Sequence, residues 1–142
     1  MLDFIEKFKT QIKNYLVKLP PLSYEYKKLI SEYLYYLVIA FCIYTVYYLI
    51  FTNRFRIYNN WSINFIDFSS MILILVILIK NLNNLKQKKQ QGLTALINTG
   101  IIFMIKEILI AFVSFDFIGM LIPIIIFIAF YYLILQIEEF YF

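Results

Sequence analysis

Four apolar runs dominate this chain: residues 34–51, 65–82, 93–115 and 117–137. A run of about 18 or more residues with few charges is long enough to cross a bilayer as a helix. Inside the hydrocarbon no water is available to a bare N–H or C=O, so the backbone must satisfy itself along the helix or in a closed barrel. The runs therefore predict an all-α fold: an integral membrane four-helix bundle. Composition agrees, with 63% hydrophobic and 15% charged residues against about 45–50% and about 25% in a soluble domain. The richness in Ile, Tyr, Phe, Asn and Lys, with three Gly, fits an AT-rich genome and carries no functional weight by itself.

A different kind of segment precedes the bundle. Within residues 2–19, Ile5, Phe8, Ile12, Tyr15, Leu16 and Leu19 follow the spacing of one helix face, and Lys7, Lys9, Lys13 and Lys18 lie around it. This pattern predicts an N-terminal amphipathic interfacial helix; the plainer reading is a helix that covers the ends of the others. Asp3 and Glu6 occupy the place of a basic signal region, so a secretory signal is not expected. Pro20 and Pro21 end the helix, since proline lacks the N–H donor and restricts the residue before it. The expected organisation is thus 1–22, helix and proline turn, then 23–142, the four-span bundle.

The first span carries no charge, and Tyr33, Tyr35, Tyr36, Tyr47 and Tyr48 near its ends resemble an aromatic belt. The polar stretch 53–64, with Arg54, Arg56 and Trp61, reads as a loop. The second span has a short apolar core, Met71 to Ile79, with Asp67 near its start and Lys80 near its end, so flanking residues must complete the crossing. A basic stretch follows, holding Lys86, Lys88 and Lys89. Asp116 alone separates the third and fourth runs, which predicts a tight hairpin, and Pro123 predicts a kink that neighbours must compensate.

Charge distribution sets the expected orientation. Of the 13 Lys and Arg, Arg54 and Arg56 lie in the first loop and Lys106 lies within the third run. The others (Lys7, Lys9, Lys13, Lys18, Lys27, Lys28, Lys80, Lys86, Lys88 and Lys89) fall on the opposite side. The positive-inside rule then puts both termini in the cytoplasm of a cell (inner) membrane protein. Lys7, Lys9, Lys13, Lys18, Lys86, Lys88 and Lys89 are candidate contacts for anionic lipid head groups. The net charge of +4 is explained by topology, and no basic groove interleaved with stacking aromatics points to nucleic acid.

The most informative stretch is GIIFMIKEILIAF, residues 100–112, where Lys106 and Glu107 interrupt an apolar run. Each such charge costs about 2.5–3.5 kcal/mol at the bilayer centre on insertion scales. At about 100° per residue, Thr99, Gly100, Lys106, Glu107 and Ser114 share roughly a third of the helix circumference. Ile101, Met104, Ile105, Leu109 and Phe112 occupy the other side. The polar face is expected to point into the bundle. Antiparallel packing would set its outer half beside Asp67, so Lys106 is expected to reach Asp67, and Glu107 to accept from an arginine or a tyrosine hydroxyl. The set is either a clamp that fixes helix register or an ion or proton pathway built on Glu107, and the clamp is favoured because the lysine neutralises the acid beside it.

Chemistry-bearing patterns are otherwise sparse. There is no histidine, and the single cysteine, Cys42, sits in an apolar run, so the usual metal ligands and Cys/His nucleophiles are missing. No nucleotide-binding, hydrolase or metalloprotease pattern occurs, and Glu138 and Glu139 read as a solvated tail. No enzyme activity, cofactor or metal is expected.

The segments KLPPL at 18–22, KQKKQQGLTAL at 86–96 and LQIEEFY at 135–141 give a layout that resembles a group of small bacterial four-helix integral membrane proteins of uncharacterised function. Leu93 and Glu138 depart from that layout, which has Trp and a basic residue there. The resemblance implies a bacterial origin and the same topology, and implies no activity. Three roles follow from the residues. The first is a non-catalytic protein acting by assembly with itself or a membrane partner, as an accessory or protective subunit. The second is a homo-oligomeric small channel or transporter using Glu107 and Lys106. The third is a membrane-surface binder using the N-terminal helix and residues 86–89, whose lipid binding should fall with salt.

Overall fold

The structure is a computed structural model that describes residues 2–55 and 61–142, with side chains described over 2–51 and 62–142. Its described part is helical throughout: α1 Leu2–Leu16, α2 Tyr24–Phe55, α3 Trp61–Lys86, α4 Gln90–Val113 and α5 Leu121–Ile137, followed by a 3-10 turn at Glu138–Phe140. Four segments are long and apolar enough to cross a membrane: Tyr24–Phe51, Ser62–Lys86, Gln90–Val113 and Leu121–Phe140. The expected all-α bundle is thus present. The second crossing is more secure than its short core promised, because α3 runs on to Lys86 and its best window has a mean hydropathy of 2.3.

The helices are antiparallel to their chain neighbours. α3 and α4 pack most extensively, α2 lies on α3, α5 on α4, and α2 meets α5 over a narrow strip. The main core joins Leu34, Val38 and Cys42 of α2 to Met71, Ile74, Leu78 and Leu85 of α3, Leu93 and Leu96 of α4, and Ile134 and Ile137 of α5. Gly92 permits the closest approach. A Cβ there would lie 2.9 Å from Leu85 Cδ2 and 3.0 Å from the Leu85 backbone nitrogen, so a small residue lets α3 and α4 meet at the inner turn.

α1 lays its apolar stripe on the bundle. Leu16 is buried, Phe8 stacks on Phe127 at 6.3 Å between centroids, and Ile5 and Ile12 pack into the cluster of Ile101, Met104, Phe127 and Tyr131. The proline turn is pinned to α5, where the Tyr132 hydroxyl donates to the Pro20 carbonyl and the Leu22 N–H donates to Gln136 Oε1 at 3.1 Å.

The end of the bundle at the α3–α4 turn is closed by residues 138–142. The Gln90 N–H donates to the Phe142 carbonyl (2.9 Å), and the Phe142 N–H donates to the Lys88 carbonyl (2.8 Å). The Gln90 side chain donates to the carbonyls of Glu138 and Tyr141 at 3.2 and 3.0 Å. Tyr141 is buried beneath this seam.

Two boundaries differ from the sequence expectation. α2 extends to Phe55 and α3 begins at Trp61, so much of the 53–64 stretch read as a loop is helical; Arg56 lies outside the described residues. The third and fourth spans, α4 and α5, are joined by residues 114–120 and not by Asp116 alone. Phe115 takes a left-handed φ of 57°, and Asp116 Oδ1 accepts from the Gly119 N–H at 2.9 Å. An acidic side chain that can bond its own following backbone favours a turn over helix continuation, and apolar flanks hid that turn.

Candidate functional site

Three helices bring their polar residues together about two turns in from the bundle end opposite the α3–α4 turn. Asp67 lies on α3, six residues in from Trp61, and Lys106 lies on α4, seven residues before Val113. Chain direction alternates, so the two positions fall at the same depth. The Lys106 ammonium is 2.9 Å from Asp67 Oδ1, and the two side chains are 4% and 1% exposed. The other Asp67 oxygen, Oδ2, accepts from the Tyr48 hydroxyl of α2 at 2.7 Å. One buried carboxylate thus ties α2, α3 and α4 together.

The ammonium is satisfied all round. Besides Asp67 it reaches Glu107 Oε1 at 2.7 Å and Met71 Sδ at 3.7 Å, and it stands 4.5 Å from the centroid of the Phe103 ring. A lysine ammonium has three N–H donors and no acceptor, so two carboxylates and a thioether account for them. Ion-pair attraction is strong at low dielectric, and it offsets the desolvation of both charges only when the geometry is good and the remaining lone pairs are bonded. Tyr48 supplies the bond that the second Asp67 oxygen needs.

Glu107 differs from its neighbours. Its side chain is 36% exposed where Lys106 is 4% exposed. Formal charges in the set sum to one excess negative charge, because Lys106 faces both Asp67 and Glu107. Among the described residues, Lys106 is the cation paired with either carboxylate.

The expected contact of Lys106 with Asp67 is present. Glu107 pairs with the adjacent Lys106, and among the described residues no tyrosine donates to it; the expected arginine partners, Arg54 and Arg56, have side chains outside the described ones. Neighbouring helix positions diverge by about 100°, yet a long flexible lysine stem can bend back to its neighbour, and backbone angles alone did not disclose this. Thr99 is buried and its hydroxyl bonds the Leu96 carbonyl at 2.8 Å, so it is spent within α4. Gly100 lets α5 approach, since a Cβ there would lie 3.0 Å from Phe130 Cε1. Ser114 is exposed at the C-cap of α4 and stands apart from the charged set. Tyr48, Met71 and Phe103 were not singled out from the sequence. Tyr48 was read as part of the aromatic belt, and the other two look like ordinary apolar residues of a span.

Next to this set lies an apolar groove of ≈ 410 Å³ between α2 and α5, floored by α4. Leu34, Val38 and Phe41 form one wall, Ile126, Phe130 and Ile134 the other, and Leu96, Gly100 and Phe103 the floor. A second, more polar crevice of ≈ 230 Å³ separates α1 from α4 and α5 and includes Glu6, Lys9, Lys13, Gln90 and Glu138. At its edge Lys9 donates to Asn98 Oδ1 at 2.6 Å and pairs with Glu6 at 3.7 Å. Of the other lysines considered for head groups, Lys7, Lys13, Lys18, Lys86 and Lys89 are exposed and Lys88 is half-buried in the inner turn. Among the described residues no group of three His, Cys, Asp or Glu side chains is disposed to hold a metal.

These features define a class: a multi-pass helical membrane protein with a charged cluster buried between its spans. No family model, curated protein or solved structure matches the chain.

Proposed function

We propose that this chain is a small, non-catalytic protein of a bacterial inner membrane, with both termini in the cytoplasm, that works by assembling with another membrane protein or with itself as an accessory or protective subunit. The observation that carries this reading is the outward face of α2. Tyr33, Ala40, Tyr44, Tyr47 and Phe51 recur at helical spacing and are all exposed. α2 also has the smallest buried share of the four crossings, 22%. Tyr33 and Tyr47 suit the membrane interfaces, whereas Tyr44, 57% exposed, lies about 10 Å inside the Phe51 end of the span. A hydroxyl facing hydrocarbon without a partner is costly, and a small residue beside polar side chains is how helices pair in membranes. A photo-cross-linking residue placed at Ala40 or Tyr44 in native membranes should give one discrete protein adduct, at the mass of two copies or of one partner. Lipid adducts alone at both positions would overturn the proposal.

The second reading, a homo-oligomeric channel or transporter using Glu107 and Lys106, draws support from the exposure of Glu107 beside its buried partners. Glu107→Gln should then abolish flux in liposomes while the bundle stays folded; an inactive wild type or a fully active variant sinks it.

A further inference from the structure

The groove between α2 and α5 and the charged set beside it have complementary chemistry. On α4 the residues Leu96, Gly100 and Phe103 floor the groove, and the next position on that stripe, at the spacing of one turn, is Glu107. The Lys106 ammonium lies 4.5 Å from the centroid of the Phe103 ring and 2.7 Å from Glu107 Oε1. The stripe that floors the groove therefore leads, one helical turn on, to a cluster with one formal negative charge in excess.

We infer that this groove is a binding site for an amphipathic organic cation, whose apolar body lies between α2 and α5 and whose positive charge is neutralised by Glu107. The volume of ≈ 410 Å³ falls within the range of about 300–1,000 Å³ typical of small-molecule sites, which are mostly apolar with a few placed polar groups. Thr99 is the polar side chain lining it, and its hydroxyl is already bonded to the Leu96 carbonyl. The body is therefore held by apolar contact and orientation comes from the charge. A lipid acyl chain fits the same walls but leaves the excess charge unmet. Lys106 does not repel the ligand outright, because Asp67 holds it from the far side. This inference goes beyond the assembly reading and does not depend on it.

The test is binding of tetraphenylphosphonium to the full chain in nanodiscs, with tetraphenylborate as an anion of the same shape. Wild type should bind the cation saturably and the anion far more weakly. Glu107→Gln should weaken cation binding at least about tenfold, or about 1.4 kcal/mol. Ile126→Trp fills the groove from a wall residue that is 55% exposed, so it should weaken binding similarly without touching the charge. Native mass and thermal unfolding in the same nanodiscs show that each variant is folded. Equal binding of both ions, or full cation affinity in either folded variant, overturns the proposal. So does recovery of a tightly held lipid from wild type and Glu107→Gln alike, which makes the groove an acyl-chain site.

Discussion

Asp67 and Lys106 are each other's condition for being buried. Removing one partner of a buried pair leaves an uncompensated charge and costs about 3–5 kcal/mol, whereas replacing both with apolar groups is often near neutral. Lys106→Leu alone should therefore lower bundle stability by about that amount, because it leaves the buried Asp67 carboxylate without its cation, and Lys106→Leu combined with Asp67→Leu should recover part of it, with the half-exposed Glu107 still unpaired. Unfolding in detergent measures both; a double variant no more stable than the single one would show that the site is held by something other than this pair. Tyr48→Phe removes the bond to Asp67 Oδ2 and should cost about 1.5–3 kcal/mol, as expected for a hydrogen bond to a charged group. The reach of Lys106 to Asp67 was legible in the sequence because alternating spans place the end of the third beside the start of the second. Tyr48 was not, because one tyrosine serves equally as an interface anchor and as a donor to a buried acid. Only the packing of α2 against α3 decides between them.

The helices were legible as apolar runs and their ends were not. A run of hydropathy marks where the membrane is, while the helix stops where backbone groups find other partners. α2 begins at Tyr24, well before the apolar run, and the turn at 114–120 takes in apolar residues on both sides of Asp116. Packing at the inner ends also followed from features without a hydropathy signal. Gly92→Val should destabilise the α3–α4 hairpin by about 1–3 kcal/mol, the usual cost of overpacking, because the Cβ would meet the Leu85 backbone at 3.0 Å. Gly100→Ala should cost less, since it meets the Phe130 ring, a side chain able to shift. Tyr141→Phe tests the tail seam in the opposite direction. The Tyr141 hydroxyl is buried with no hydrogen-bond partner among the described residues, and burial pushes its phenol pKa up. Deleting an unsatisfied buried polar group relieves a penalty of about 1–3 kcal/mol, so this variant should melt at or above the wild-type temperature. A marked loss of stability would mean that the hydroxyl is bonded in the membrane-embedded protein.

For the whole molecule, the decisive variable is which side each end occupies, because the charged set lies near one face only. Asp67, Lys106 and Tyr48 sit toward the end opposite the tail seam, where Lys88, Gln90 and Phe142 meet. The basic residues crowd the seam end: Lys27 and Lys28 open α2, and Lys86, Lys88 and Lys89 border the α3–α4 turn. By the positive-inside rule a strong lysine bias within short loops should direct that end to the cytoplasm, and the charged set should then lie toward the outside. Alkaline phosphatase, active only outside the cytoplasm, should be silent when fused after Phe142 and active when inserted at residues 116–119. Phe142 is 88% exposed, so a fusion there has room to leave the bundle. The reverse pattern would invert the molecule, and an amphipathic cation would then reach Glu107 from the cytoplasm. Replacing Lys86, Lys88 and Lys89 with Gln tests the cause: if charge sets the orientation, the triple variant should show a mixed signal at both fusion points.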